Sequence, residues 1–233
     1  MEEVFSQPPF PGFSVEAFRF LEALDENNRR DWFKARKDTF ESELKAPMEL
    51  LLSSGAQRFS ETDLPLTAHP KRSRFRIHRD LRFTDDKTPY KTNLGGVFDR
   101  SGAKKEPGVV YVHVEPGGCF LAAGFYQPSV SYLRPVRSRI AAEPDSFRNL
   151  LRDMEERGLP VDSMNDTLKG MPKGFSEYRD TDVASFLKWQ HYLTRREFSD
   201  KALQSPDFTD EIVRIAREAR PLLEYVWETE DGT

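Results

Sequence analysis

The chain has 233 residues, 37% hydrophobic, 12% aromatic and 32% charged, with a net charge of −4. This composition supports a packed core and excludes a disordered chain, and the slight negative charge gives no global electrostatic case for nucleic acid or an anionic membrane. A single cysteine, Cys119, precludes an internal disulfide and fits a reducing compartment. No window reaches roughly 18 consecutive apolar residues, and the N-terminal MEEVFSQPPFPGF lacks the basic and apolar regions of a signal peptide. A cytoplasmic protein with no membrane helix is expected.

Residues 1–12 read as an irregular, Pro-rich leader, 13–228 as one domain and 229–233 as a tail. Ser14 suits the N-cap of a helix that places Phe18, Leu21 and Leu24 on one face. In ENNRRDWF, Asn27 stops that helix and Asn28 caps the next, with Asp31 at its N3 position, while Trp32 and Phe33 belong to the core. From Phe40, the spacing of Leu44, Met48, Leu51, Leu52 and Phe59 is helical, and Pro47 bends or restarts the helix.

After LPLTAHP the period changes. Phe75, Ile77, Arg79, Leu81 and Phe83 alternate with Arg74, Arg76, His78, Asp80 and Arg82, which predicts a strand with one apolar and one charged face. Arg79 falls among the apolar set and needs a carboxylate, a ligand or a bulge. TDDKTPYKTN reads as a loop and LGGVF as a short strand. GVVYVHVEP and CFLAAGFY are two more strands, joined at Gly117–Gly118, so 74–126 is expected to form an antiparallel meander.

Helices then return. One covers 131–142 with Pro135 in its first turn, and a second runs from Pro144 through Phe147, Leu150, Leu151 and Met154 to Gly158. A short helix is expected over 182–192 and a long one over 207–228, broken near Pro221. The fold class is α+β, a central antiparallel sheet packed by N- and C-terminal helices.

Charge is concentrated. Between Lys71 and Lys91 stand eight basic residues and three acids, Asp80, Asp85 and Asp86, a local +5 that leaves −9 for the rest of the chain. The guanidinium fork grips carboxylate or phosphate bidentately, and lysine adds a mobile point charge. Arg76, Arg82, Lys87, Tyr90 and Lys91 are therefore candidate ligands for a phosphorylated or otherwise anionic small molecule. Arg79, Asp80 and Asp86 are the candidate structural ion network, and a purely structural network in a non-catalytic scaffold or interaction domain stands beside the binding reading.

Asp80 is the one candidate general base for a reaction on a phosphate or carboxylate ester, although flanking arginines depress its basicity. A metal alternative pairs His78 and Asp80 with His113 and Glu115, each pair spaced to share one strand face. A nucleic-acid-associated domain is disfavoured, because alternation sets Phe75 and Phe83 opposite most of the arginines. No cofactor is expected, and the protein partner is left open. Cys119, in GGCFLAA, reads as a buried inert thiol. The chain has no nucleophile elbow, no phosphate-binding P-loop and no dinucleotide fingerprint.

The stretches NNRRDWF and FRIHRDLRFTDDKTPYKTN resemble the signature of a bacterial and fungal family, domain of unknown function 2461, and PKGF at 172–175 is similar to a further family feature. The resemblance spans about residues 10–225. It implies an α+β fold and carries no activity, substrate or cofactor with it. Position 78, His here, is often Tyr in that family, which counts against His78 as a ligand.

Overall fold

The computed structural model describes residues 8–80, 82, 86–104, 106–126 and 128–231. In chain order the helices α1 (Val15–Glu26), α2 (Arg30–Ala35), α3 (Lys37–Thr39) and α4 (Ala46–Ser60) come first, with a π-helical turn at Phe40–Lys45 before α4. Strands β1 (Leu94–Phe98), β2 (Val109–Val114) and β3 (Cys119–Phe125) follow, then helices α5 (Val130–Ala142), α6 (Pro144–Glu156) and α7 (Ala184–Leu187). Strand β4 (Tyr192–Phe198) precedes α8 (Asp200–Leu203), α9 (Phe208–Glu218) and α10 (Arg220–Asp231). The strands form one antiparallel sheet in the order β1-β2-β3-β4, so the fold is α+β. Among the described residues no helix is long and apolar enough to cross a membrane.

Local chemistry accounts for most boundaries. The Ser14 hydroxyl accepts from the Ala17 N–H at 3.1 Å and opens α1, and Asn27 closes it with both its backbone N–H and its side chain on the Ala23 carbonyl. Pro47 cannot donate an N–H; the helix restarts around it after a stretch in which the Ala46 N–H reaches back to Glu41. Gly158, at φ +70°, ends α6 in the left-handed cap that glycine tolerates best. Pro135 sits in the second turn of α5 rather than the first, where it removes one intrahelical hydrogen bond.

The chain divides into two compact units. The first comprises Met1–Lys105, Tyr111–Leu121 and Glu197–Arg214. There α4 lies against β1 closely enough that a Cβ on Gly96 would stand 3.0 Å from Leu52 and 3.2 Å from the Met48 sulfur. Phe10, from the expected leader, is buried, with its N–H on the Ser54 hydroxyl at 2.8 Å; residues 1–7 of that leader lie outside the described residues. Phe20, Phe33, Phe40 and Tyr90 pack as an aromatic cluster in which Phe33 and Tyr90 stack at 4.1 Å.

The second unit comprises Glu106–Val110, Ala122–Arg196 and Ile215–Thr233. Its core centres on Phe147, whose ring lies 5.3 Å from Phe186, 5.9 Å from Tyr192 and 5.6 Å from Tyr225. Helix α10 continues through Asp231, into the segment expected as a tail, and residues 232–233 lie outside the described residues.

Two sequence expectations are corrected. The described part of the expected strand, residues 74–80, is not a sheet strand: it makes two isolated bridges, Arg74 with Gly96 and His78 with Tyr90. After the first bridge the chain folds onto its own loop, through Arg79 N–H to the Pro89 carbonyl at 3.0 Å and Lys91 N–H to Ile77 at 2.8 Å. The alternation survives locally, with Ile77 buried between the exposed Arg76 and His78, while Leu81, Phe83 and Asp85 lie outside the described residues. Second, the helix expected over 182–192 is only Ala184–Leu187, and YLTRREF at 192–198 is a strand. Its first three residues are all buried, so no single alternation runs through it.

Candidate functional site

Helix α2 carries Arg30 and Lys34, and Lys37 opens α3. Arg30 and Lys34, four residues apart, share one side of α2, and Lys37 follows across the non-helical Arg36. They line a cleft of about 510 Å³ together with Phe33, His78, Arg79, Pro89 and Tyr90. Phe33, Pro89 and Tyr90 form its apolar floor, and the cations and His78 form its rim. The side chains of Arg30, Lys34 and Lys37 have no hydrogen-bond or ion-pair partner among the described residues.

Asn28 builds the floor. It does not cap α2, whose N-cap is Arg29 with no side-chain bond. Instead its Oδ1 accepts from the Tyr90 N–H at 3.0 Å, and its Nδ2 donates to the Tyr90 carbonyl at 2.9 Å. The bridge to His78 leaves both peptide groups of Tyr90 pointing away from that partner, and the amide satisfies them as a neighbouring strand would. With Phe33 stacked on its ring, Tyr90 is fixed from two directions.

The expected ion network resolves into two pairs. Arg79 lies at the cleft and pairs with Asp86. The Asp86 carboxyl is held below the usual carboxylate range, first by the Thr88 N–H and hydroxyl and then by Arg79. Arg82 grips Asp80 bidentately, at 2.9 Å from Nε and 2.7 Å from Nη2, with Arg76 at 3.9 Å. That guanidinium holds Asp80 far down, so Asp80 is an ionised anchor and a poor general base.

The candidate ligands disperse. Tyr90 lines the cleft, and Arg76 and Arg82 are exposed, with 69% and 75% of their side-chain surface in solvent. Lys87 is exposed as well. Lys91 is half-buried with its Nζ 5.6 Å from the Phe75 ring; burial first, then the charges of Arg76 and Arg79, pull its pKa down. Phe75 also has Lys104 Nζ at 4.9 Å and meets Tyr111 edge-on.

The paired histidines and acids of the metal alternative are not gathered. His78 packs beside Phe33 and Tyr90, and His113 bridges the Tyr111 hydroxyl at 2.9 Å and Glu115 at 3.1 Å. Among the described residues no group of three or more His, Cys, Asp or Glu is placed to hold a metal ion. Cys119 is buried, its thiol on the Glu115 carbonyl, and burial pushes its pKa up to about 12.

The family model described as "Conserved hypothetical protein (DUF2461)" matches residues 16–225. The chain belongs to this family. No curated protein and no solved structure matches it. The two stretches that carry the family resemblance meet at the cleft, one supplying Asn28 and Phe33, the other Arg79, Pro89 and Tyr90. Sequence reasoning did not single out Arg30, Lys34 and Lys37, although their helical spacing within RRDWFKARK was a readable signal.

Proposed function

We propose that the cleft binds an anionic small molecule of the size of a phosphorylated metabolite. What carries this reading is that Arg30, Lys34 and Lys37 line one cleft without a carboxylate partner among the described residues. Pockets of roughly 300–1,000 Å³ suit such ligands, and this cleft is about 510 Å³. Phe33, Pro89 and Tyr90 accept the apolar part of the ligand. Arg79, oriented by Asp86, presents a fixed fork, and the three unpaired cations close on the charged end. Lys91 adds to the positive field at Arg79, while Arg82 is engaged in holding Asp80. Binding rather than base catalysis is the role assigned, because Arg82 lowers the basicity of Asp80 and Asp80 does not line the cleft.

The two pairs Asp80–Arg82 and Asp86–Arg79 favour a second reading, in which the segment is a scaffold braced by its own charges. Titration calorimetry with inorganic pyrophosphate, a nucleoside diphosphate and a dicarboxylate separates the two. A charge-assisted hydrogen bond contributes about 1.5–3 kcal/mol. The Lys34→Ala/Lys37→Ala double variant, altered only at exposed positions, should therefore fold normally and bind at least tenfold more weakly. No heat with any of the three probes, or equal affinity in the double variant, would leave the scaffold reading in its place.

A further inference from the structure

A groove of about 780 Å³ runs between α5 and α10 in the second unit, and α5 gives its lining Ser131, Arg134, Pro135, Ser138 and Arg139. Arg139 is neutralised in place, with Glu228 of α10 at 2.8 Å and Glu143 at 4.0 Å, both in the same lining. Arg134 is exposed and has no hydrogen-bond or ion-pair partner among the described residues. The groove therefore presents one positive charge that no acid of its own answers.

The same end of α5 is apolar and open. Of the five large hydrophobic side chains exposed among the described residues, three, Tyr126, Val130 and Tyr132, fall in this one stretch. Successive helical residues are turned by about 100°, so Val130 and Tyr132 flank Ser131, and with it the N-terminal end of the groove, from either side. The Tyr132 ring meets Phe125 edge-on at 6.3 Å, which sets the first turn of α5 beside the end of β3. There Tyr126, 62% exposed, lies flat on His191 at 4.9 Å, and His191 is itself buried and held by Asp166 at 2.7 Å. The Tyr126 ring is fixed in solvent beforehand, so a partner pays little to order it.

Pro135 adds a backbone acceptor. In a helix the N–H of this position would donate to the Ser131 carbonyl, four residues back, and proline has none to give. Both residues line the groove.

These features select among guests. A small anion would use Arg134 and leave Tyr126, Val130 and Tyr132 in water. A nucleic acid would bring its phosphates against Glu143 and Glu228. A peptide uses every part: a carboxylate on Arg134, an apolar side chain on the flanking patch, and N–H groups for the Ser131 carbonyl and the Ser138 hydroxyl. From Ser131 to Arg139 the helix rises roughly 12 Å, the reach of about four extended residues. Exposed apolar patches rimmed by polar groups mark protein contacts, and tyrosine and arginine are their usual anchors.

We propose that the groove between α5 and α10 docks an extended peptide segment of another protein, with an Asp or Glu side chain on Arg134 and an adjacent apolar side chain packed on Val130 and Tyr132.

The test selects random displayed peptides on the full chain carrying Lys34→Ala/Lys37→Ala, so that the cleft does not compete, and titrates the winners by fluorescence anisotropy. The selected peptides should share an acid beside an apolar residue. Arg134→Gln should weaken them at least tenfold and Val130→Ser roughly fivefold. Both side chains stand in solvent, so both variants fold. Replacing the peptide's acid by its amide should cost as much as Arg134→Gln and nothing more on top of it. Peptides indifferent to Arg134, or to loss of the acid, overturn the proposal. So does acetate displacing them at equal affinity, which makes the site one for a small carboxylate. A concentration-dependent dimer in sedimentation that Arg134→Gln dissolves gives the face to a second copy of the chain and likewise overturns it.

Discussion

Asn28 makes its two hydrogen bonds to one peptide, 62 residues away in sequence, and Asn28→Ala removes both at once. Each such bond contributes about 0.5–1.5 kcal/mol net, and each buried group left unpaired costs about 1–3 kcal/mol. Tyr90 is 6% exposed, so water re-enters only from the half-buried Asn28 side. The expected loss is about 2–4 kcal/mol, a fall in unfolding midpoint of roughly 4–16 °C for a chain of this size. Asn28→Asp adds a check on sign. The introduced carboxylate still accepts from the Tyr90 N–H but opposes the Tyr90 carbonyl, whereas the neutral acid can donate to it. Its folded pKa is therefore raised above the unfolded value of about 3.9. The rescue is complete below that value and is lost as pH rises through the folded pKa. Denaturant melts at neutral pH and at about pH 3.5 measure both effects. A neutral-pH change below about 0.5 kcal/mol in Asn28→Ala, or an Asn28→Asp penalty that does not shrink in acid, would refute the clamp.

Three further outcomes are expected. Gly55→Ala should destabilise despite alanine's helix preference of about 1 kcal/mol, because the new Cβ would lie 2.5 Å from the fully buried Phe98 ring; overpacking costs about 1–3 kcal/mol, and a stabilised variant would contradict the packing of α4 on β1. Cys119 should ignore a thiol reagent in the native protein and react fully in denaturant, since its pKa is pushed up to about 12 by burial; native labelling would contradict this. Asp80 and Asp86 have depressed folded pKa values, so their bracing of the loop is present above the ordinary carboxylate range and is lost as pH falls through the folded values. Carboxyl carbon shifts should show both titrating below the ordinary aspartate midpoint of about 3.9, and an unshifted midpoint for either would remove its partner from the account.

Local code was legible where local physics decides. The cap at Ser14, the stop at Asn27, the restart at Pro47, the break before Pro221 and the β2–β3 hairpin each follow from one or two residues and their backbone preferences. The charge island around 74–92 and the buried thiol were readable too. The limits appear where a residue's partner is distant. Asn28 looks like a cap because the sequence cannot show Tyr90 waiting with two open peptide groups. YLTRREF gives no strand signal because its pairing with β3 spans more than sixty residues and its burial changes midway.

The sequence by itself determined the α+β class, the family resemblance and the presence of more cations than acids in one segment. Tertiary structure alone decided which cations share a cleft. Arg30, Lys34 and Lys37 meet Arg79 because Phe33 of α2 stacks on Tyr90, and Arg82 is drawn off by Asp80. It also decided that Arg134 stands without an acid among the described residues while Arg139 finds Glu228. Composition fixes how many charges a chain carries. Only packing fixes which of them share a cleft with no acid beside them, and those are the ones with binding energy left to give.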